Sequence, residues 1–469
     1  MFFNEHDKFW SPFYNHFFDI LSTCSFTQCF WVAYSGGLDS HLLLYLLAQL
    51  KNPSLPLLKE NKYVNQKHSI HISFDKWKKG GFNLRAVHIH HGLNEQADNW
   101  AIHCQQICNT LEIPCEIIRV NVQNTHRESL EANARNARYK AIAQLIAPND
   151  VVLTAQHADD QAETVLIQLL RGAGVAGLAA MPFISCLGQG WLARPLLSYT
   201  RSQLHDYALQ ANLHWIEDTS NADTRFDRNF LRHEIVPRLQ QRWPSMSHIL
   251  SRVAQHQAEA NELVQTLAEE DLKSCQGDTS EQLLLPALSR LKPIRQRNVL
   301  RFWIKKLRLP LPSTVQLEHI LRDILTAKEN RQPLVRWQGG EVRRYRNHLF
   351  AMQNLPPVPD ASYTLIWTLP QKLCLPFGEL RVNEVQGQGL ALPIGTQLQI
   401  RFRQGGETFH WHGHQRVVKK LLQAVSLPPW QRPFIPLIYF ENILVAIPKI
   451  GIADKFLATK SGWNIQWLL

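Results

Sequence analysis

FWVAYSGGLDS, residues 30 to 40, runs five apolar residues straight into a serine-glycine-glycine turn, and LDSHLLLYLLAQL (38 to 50) continues at helical spacing. Strand, tight turn and helix in that order build a phosphate-binding loop, with backbone N–H groups and the positive helix end facing the anion. The common phosphate loop reads GxxxxGK[ST] and uses its lysine on the β- and γ-phosphates. No GK[ST] occurs in this sequence. Ser35 closes the strand, Gly36 and Gly37 admit close approach, Leu38 opens the helix and Ser40 adds a hydroxyl. Asp39 offers a carboxylate suited to Mg²⁺ on phosphates. A loop of this kind holds departing phosphates and does not push on the terminal one. It suits cleavage between the α- and β-phosphates of ATP, with pyrophosphate leaving.

Outward from this stretch the chain alternates strands with helices. FNLRAVHIH (82 to 90), CEIIRVNV (115 to 122) and DVVLTAQ (150 to 156) read as strands. ADNWAIHCQQICNTL (97 to 111), LEANARNARYKAIAQLI (130 to 146) and DDQAETVLIQLLRG (159 to 172) read as helices. This rhythm predicts right-handed βαβ units and one parallel sheet covered on both faces. Ligands of such sheets bind beyond the carboxyl ends of the strands, where SGGLDS, HIHHGL and QHADDQAE all fall. Trp10, Phe13, Phe17 and Leu21 recur at helical spacing and predict an N-terminal helix packed on this domain. Residues 51 to 81 break the rhythm and read as a lysine-rich surface insertion.

Beyond Asp218 the strand rhythm stops, and apolar residues every three or four positions predict a helical region over about 225 to 330. LVRWQGGEVRRYRNHLFAM (334 to 352) reads as a hairpin turning at Gly339-Gly340, and LPPVPD (355 to 360) as a linker. Three domains are expected: 1–216, 217–354 and 361–469. The formal net charge is +11 and the pI about 9.3. From residue 395 onward nine Lys/Arg face three acids, a surplus of 9 − 3 = 6. That concentration points to nucleic acid. Arg401, Arg403, Arg416, Lys419, Lys420 and Arg432 are the candidate phosphate contacts. Eight cysteines without a CxxC pair fit reduced thiols in a cytoplasmic protein. The N-terminal stretch lacks a signal peptide's basic start and cleavage site, and the apolar runs are too short to span a bilayer.

SGGLDS resembles the PP-loop of the ATP pyrophosphatases, an adenine-nucleotide α-hydrolase-like, Rossmann-like fold. VHIHHGLNEQADNW (87 to 100), LEANARNARYKAI (130 to 142), TAQHADDQAETVLIQLLRGAGVAGLAAM (154 to 181), RPLL (194 to 197) and EDTSNADTRFDRNFLRHEIVPRL (217 to 239) follow in order. Together they resemble the tRNA(Ile)-lysidine synthase family, over nearly the whole chain. The resemblance implies an α/β PP-loop catalytic domain, a mainly helical middle domain and a small α+β C-terminal domain. It also implies a reaction. ATP adenylates the wobble cytidine of the CAU-anticodon tRNA(Ile), and free L-lysine then displaces AMP at C2 to give lysidine.

Within that frame Asp160 and Glu163, three residues apart on one helix face, are the candidate lysine-binding carboxylates, and one of them the base for the attacking amine. Asp159 is read as a cap. Arg138 is placed near the phosphates or the cytidine, and Arg228 is a similar candidate from the second domain. Asn229 and Arg232 are read as holding that junction. His90 is read as an adenine or ribose contact, and HWHGH (410 to 414) as a polar loop with Trp411 exposed. A tRNA thiolation enzyme would need a CxxC or persulfide cysteine. A non-catalytic RNA-binding protein would not need an intact loop beside an intact acid cluster. A homodimer is left open.

Overall fold

A computed structural model describes residues 13, 17, 20, 27, 29–52, 82–92, 94–122, 130–217, 223–327, 331–360 and 362–468. Most of the expected 51–81 insertion and much of the expected N-terminal helix, Trp10 and Leu21 included, lie outside them. Phe13 and Phe17 are helical and buried in the first core, as their spacing predicts, and Ile20 is buried with them.

The described chain forms two compact units, Met1–Leu263 and Val264–Leu469. The first is built on a six-stranded sheet, order β3-β2-β1-β4-β6-β5. Its strands are β1 (Cys29–Ala33), β2 (Asn83–His90), β3 (Cys115–Arg119), β4 (Val151–Leu153), β5 (Ile184–Leu187) and β6 (Gly190–Ala193). The helices between them are α1 (Leu38–Lys51), α2 (Ala97–Thr110), α3 (Leu130–Leu145) and α4 (Ala158–Leu170), with α5 (Arg201–Gln210) after the sheet. β1 pairs in parallel with both β2 and β4, and β4 with β6.

Alternate residues of each strand feed opposite cores, because the side-chain period of a strand is two. Phe30, Val32, Leu84, Ala86, Val151 and Leu153 join the core that contains residues of α1, α2 and α5. Cys29, Trp31, Val87 and Val152 join the core on the other face, with Ile142 of α3. Both faces are dry, so these strands read as unbroken apolar runs. The sequence reading misses one feature, the antiparallel hairpin β5–β6 at the sheet edge. Its strands are four residues each and turn at Gly188, φ +57°, where the ideal Cβ would lie 2.9 Å from the Ala143 carbonyl oxygen. Strands this short carry little periodicity.

α1 is buried along almost its whole length, including His41. Burial pushes the His41 imidazole from 6.5 down to about 4; a hydrogen bond to the His214 backbone opposes this, while the charges of His103 and His214 add to it. Below about pH 6.5 the unfolded chain therefore binds a proton that the folded chain refuses. The contribution to stability is whole above the unfolded pKa and is lost as pH falls from about 6.5 to about 4. That loss is on the order of 3 kcal/mol for this residue. Urea unfolding at pH 7.5 and pH 5 should show roughly 2 kcal/mol of it, and His41→Gln should flatten the difference; an unchanged pH dependence would count against a neutral buried His41.

After α5 the chain forms α6 (Asp227–Phe230), a π-helical turn (Leu231–Ile235) and α7 (Val236–Arg242) without a break, then the 30-residue α8 (Met246–Cys275). The unit boundary falls inside α8, away from the sequence-expected boundaries near 216 and 355–360. The reason is packing. Met246 and Leu250 belong to a core with Ala162 and Val236, whereas Leu272 and Cys275 belong to the next core.

That next core is carried by α8, α9 (Leu285–Arg290), α10 (Pro293–Lys306), α11 (Thr314–His319) and a four-stranded sheet, order β7-β10-β9-β8. Its strands are β7 (Gln282–Leu284), β8 (Leu334–Trp337), β9 (Gly340–Tyr345) and β10 (His348–Met352). The expected hairpin is there, but a second turn at Arg346, φ +52°, makes it a three-stranded meander.

A separate core covers 367 to 467. It holds the antiparallel strands β11 (Thr364–Thr368), β12 (Leu373–Cys374), β13 (Glu379–Gln386) and β14 (Gln397–Phe402), and the hairpin β15 (Thr408–Trp411) with β16 (His414–Val417). α12 (Val418–Ala424), β17 (Pro436–Phe440), β18 (Ile443–Ile447), β19 (Gly451–Ile452) and β20 (Ser461–Leu468) complete it. The second unit thus has two cores, one of helices over a small antiparallel sheet and one built mainly of antiparallel strands. No described helix is long and apolar enough to cross a membrane.

Candidate active site

The chain leaves β1 to the left for β2 and β3, then returns to the right of β1 for β4. Crossovers that diverge this way open a crevice at the carboxyl ends of β1 and β4. The β1 end carries Ser35 to Ser40, and the β4 end carries His157 to Glu163.

Gly36 has φ +85°, and an added Cβ would meet Ile216 Cδ1 at 2.8 Å. The positive φ calls for glycine there, and an added Cβ would in addition displace the end of the Ile216 side chain. Gly37 caps α1 in an extended conformation, and Ile216 N donates to Gly36 O at 2.9 Å. The serines work inside the loop. Ser40 Oγ donates to Gly37 O at 3.0 Å, accepts from Ser35 N at 3.2 Å and lies 3.0 Å from Ser35 Oγ. Ser40 is buried, so it shapes the loop from within, where the sequence reading has its hydroxyl facing phosphate. Leu38 likewise sends its side chain into the core and offers only its backbone.

Asp39 stands at the mouth. Burial raises its carboxyl pKa; His157 lowers it, Asp160 raises it, and Arg201 and Arg232 lower it. Its Oδ1 is buried without a hydrogen-bond partner. An orphaned carboxylate oxygen beside a phosphate loop suits a cation ligand. Among the described residues no group of three or more His, Cys, Asp or Glu stands ready to hold a metal. Asp39 would share an ion with phosphate oxygens, as Mg²⁺ sites usually do.

Across the crevice, Asp160 and Glu163 do lie together, as the i,i+3 spacing predicts, and both are held by arginines. Glu163 Oε2 accepts from Arg228 Nε at 2.7 Å and from Arg232 Nη2 at 2.9 Å; its Oε1 accepts from Arg232 Nε at 2.7 Å. Asp160 Oδ1 accepts from Arg228 Nη2 and Arg232 Nη2, both at 2.9 Å. Glu163 is 1% exposed. Burial pushes the Asp160 carboxyl up, but His157, Arg228 and Arg232 outweigh it and leave it below its ordinary value. The four charges sum to zero. Arg232, read from sequence as a junction residue, is an equal member of this cluster.

His157 is the residue that the sequence reading passes over. It caps α4, its ring accepting from Asp160 N while Asp160 Oδ2 accepts from His157 N at 3.1 Å. Asp159 is a cap, though of another helix. Its Oδ2 accepts from Arg201 N, the first residue of α5, at 2.7 Å, and its Oδ1 accepts from Ser247 Oγ at 2.7 Å and Gln240 Nε2 at 3.1 Å. Asn229 donates to Asp223 O at 3.0 Å, within its own segment.

His90 is a correction. The ring is itself buried, and its Nε2 lies 3.2 Å from Asp98 Oδ1 of α2 and 3.4 Å from Arg119 Nη1 of β3, two side chains that are exposed. His88 is the strand-end histidine that touches the loop's approach, its Nδ1 2.9 Å from Tyr34 O. Arg138 meets His91, with Nη2 to Nε2 at 3.3 Å, and burial followed by the Arg138 charge pushes His91 down to about 4.

On the second unit the six basic candidates divide. Arg416, Lys419 and Lys420 are exposed. Arg401 stacks 4.6 Å over Tyr439 and donates to Gln399 Oε1 at 2.6 Å. Arg403 lies 3.7 Å from Glu407 with its side chain 19% exposed. Arg432 donates to Leu427 O at 2.8 Å and Tyr345 Oη at 3.2 Å. Arg403 and Arg432 therefore brace the fold, against the sequence expectation. Trp411 is half-buried, with Arg416 5.8 Å over its ring.

Three family models match in chain order: a PP-loop domain over 12–239, a TilS substrate binding domain over 283–350 and a TilS substrate C-terminal domain over 398–467. The tRNA(Ile)-lysidine synthase of Coxiella burnetii is 41% identical over 453 residues, covering 95% of this chain and 94% of that relative. The chain belongs to the tRNA(Ile)-lysidine synthase family. The synthase of Legionella pneumophila (strain Paris) is 38% identical over 92% of this chain and 94% of its own. That of Yersinia pseudotuberculosis serotype O:1b is 36% identical over 93% and 95%. The family is one of tRNA-modifying PP-loop enzymes, and the thiolation reading is not favoured.

Proposed function

We propose that this chain uses ATP to join free L-lysine to C2 of the wobble cytidine in the CAU-anticodon tRNA(Ile). Cytidine O2 attacks the α-phosphorus of ATP and the α–β bridge breaks. Pyrophosphate leaves, and an adenylated tRNA forms. The lysine amine, having lost a proton, then attacks C2, the C2–O2 bond breaks, AMP leaves and lysidine remains.

The observation that carries this reading is the acid pair Asp160–Glu163 set across one crevice from a lysine-free phosphate loop. The loop, through Ser35, Gly36, Gly37 and the start of α1, cradles the departing phosphates. Asp39 would hold Mg²⁺ there, which when bound neutralises phosphate charge. Each acid already accepts from two guanidiniums, so lysine enters by exchange: its ammonium takes the place of an arginine fork on Asp160 or Glu163. The displaced fork, Arg228 for preference, then turns its charge toward the adenylate. The carboxylate that receives the amine is also placed to take its proton. Arg138 of α3, which meets His91 just past the end of β2, adds a second cation. Arg416, Lys419 and Lys420 supply phosphate contacts that position tRNA without reading sequence.

Incubation with ATP, radiolabelled lysine and bulk tRNA should transfer label to RNA, with one AMP and one pyrophosphate per lysine bound. Pyrophosphate release without labelled RNA would overturn the reading.

A further inference from the structure

We propose that His157 is a positioning residue that spaces the phosphate loop from the acid pair through its Nε2–H, beyond its role as a helix cap. The proposal rests on the reaction proposed above.

His157 is 2% exposed and sits at the carboxyl end of β4, the strand beside β1. Asp160 N donates to His157 Nδ1 at 3.4 Å, so Nδ1 carries the lone pair. In a neutral imidazole the proton then lies on Nε2. Nε2 stands 3.8 Å from Asp39 Oδ2 and 3.4 Å from Asp160 Oδ2. One N–H thus faces two carboxylates, one on each side of the crevice. At 3.8 Å the Asp39 contact is longer than a formed hydrogen bond, and at 3.4 Å the Asp160 contact is as long as the cap itself. The ring therefore acts as a shared electrostatic spacer that neither acid monopolises. Without it, two carboxylates would face each other across the crevice and repel.

The Arg232 charge also acts on both Asp39 and Asp160, but no other ion pair described duplicates the contact. Asp159 Oδ2 is 3.7 Å from Nδ1, on the capping side, and is already committed to Arg201 N. Arg228 and Arg232 reach Asp160 at Oδ1, not Oδ2. Only His157 addresses both Asp39 and the Oδ2 edge of Asp160 among the described ion pairs. If Asp39 orients the nucleotide and Asp160 the amine, the spacing that His157 keeps decides whether the amine reaches C2 of the adenylated cytidine. Misplacement of a reacting group by about 1 Å costs on the order of 100-fold in rate.

Two substitutions separate spacer from cap. The Asn side chain reaches about as far as Nδ1 and is itself a preferred N-cap; the Gln amide reaches about as far as Nε2 but leaves the cap. His157→Asn should melt close to wild type yet lower lysine transfer roughly tenfold or more, with lysine bound per pyrophosphate released falling below one. His157→Gln should melt lower and recover much of that coupling ratio. If His157 is only a cap, the ranking inverts: the Asn variant keeps wild-type kinetics and the Gln variant loses both, and the proposal fails. Equal losses of coupling in both variants would also overturn it. Wild-type enzyme run alongside tests the reaction itself. Should it transfer no lysine, the functional reading fails, whereas wild-type coupling with an inverted ranking fails His157 alone.

Discussion

Asp39→Ala should abolish pyrophosphate release, by about 100-fold or more, while leaving the melting temperature equal or higher and tRNA binding unchanged. The two halves of that expectation come from one observation. Asp39 is held beside the phosphate loop with its Oδ1 buried and unpaired, and burial raises its carboxyl pKa. A carboxyl whose folded pKa lies above its unfolded value weakens the fold at neutral pH, because the folded state binds the proton more readily than the unfolded one. Removing it takes away a cost. Such a group persists because the ligand it serves offsets the cost on binding. Thermal melting, pyrophosphate release and filter binding of tRNA on one preparation decide the matter. A lower melting temperature with release intact would show Asp39 to be structural.

Glu163→Gln is expected to do the opposite to stability. The carboxylate accepts three hydrogen bonds from two guanidiniums at 2.7 to 2.9 Å and is almost fully buried. Neutralising it leaves two cations facing the single charge of Asp160, and breaking a buried pair costs about 3–5 kcal/mol. The same change removes a charge-assisted partner for the substrate ammonium, worth about 1.5–3 kcal/mol. Half-saturation by lysine should therefore rise at least about tenfold. ATP and tRNA alone should still release pyrophosphate, and excess lysine should restore the rate of the second step. Urea unfolding and a lysine titration measure both effects. Loss of pyrophosphate release with unchanged lysine saturation would assign the cluster to ATP.

The parallel sheet is legible in the sequence because both of its faces are buried, so its strands announce themselves as apolar runs, and because loops at their carboxyl ends carry SGGLDS and HADDQAE. The acid pair is legible for a local reason: residues three apart share a helix face. What joins that pair is not local. Arg228 and Arg232 lie 65 and 69 residues beyond Glu163, and no periodicity connects them. His157 escapes notice because histidine is an uncommon cap, and its second contact is with a loop more than a hundred residues away. Charge counting also overstates the basic surface. Composition cannot distinguish Arg416, which faces solvent, from Arg403 and Arg432, which face Glu407, Leu427 and Tyr345.

The balance of two acids against two arginines has a consequence for how large anions approach. A bare pair of carboxylates would surround the crevice with a negative potential, and both ATP and the tRNA backbone would meet it before reaching the loop. Paired as they are, the acids have a field that falls off steeply with distance and is negligible beyond a Debye length of about 8 Å at physiological salt. From solution the acid pair looks neutral. The chain's overall surplus of positive charge can then govern the long-range encounter. The negative character of the site is revealed only to a cation close enough to replace a guanidinium, so one crevice can admit a polyphosphate from afar and select an ammonium at contact.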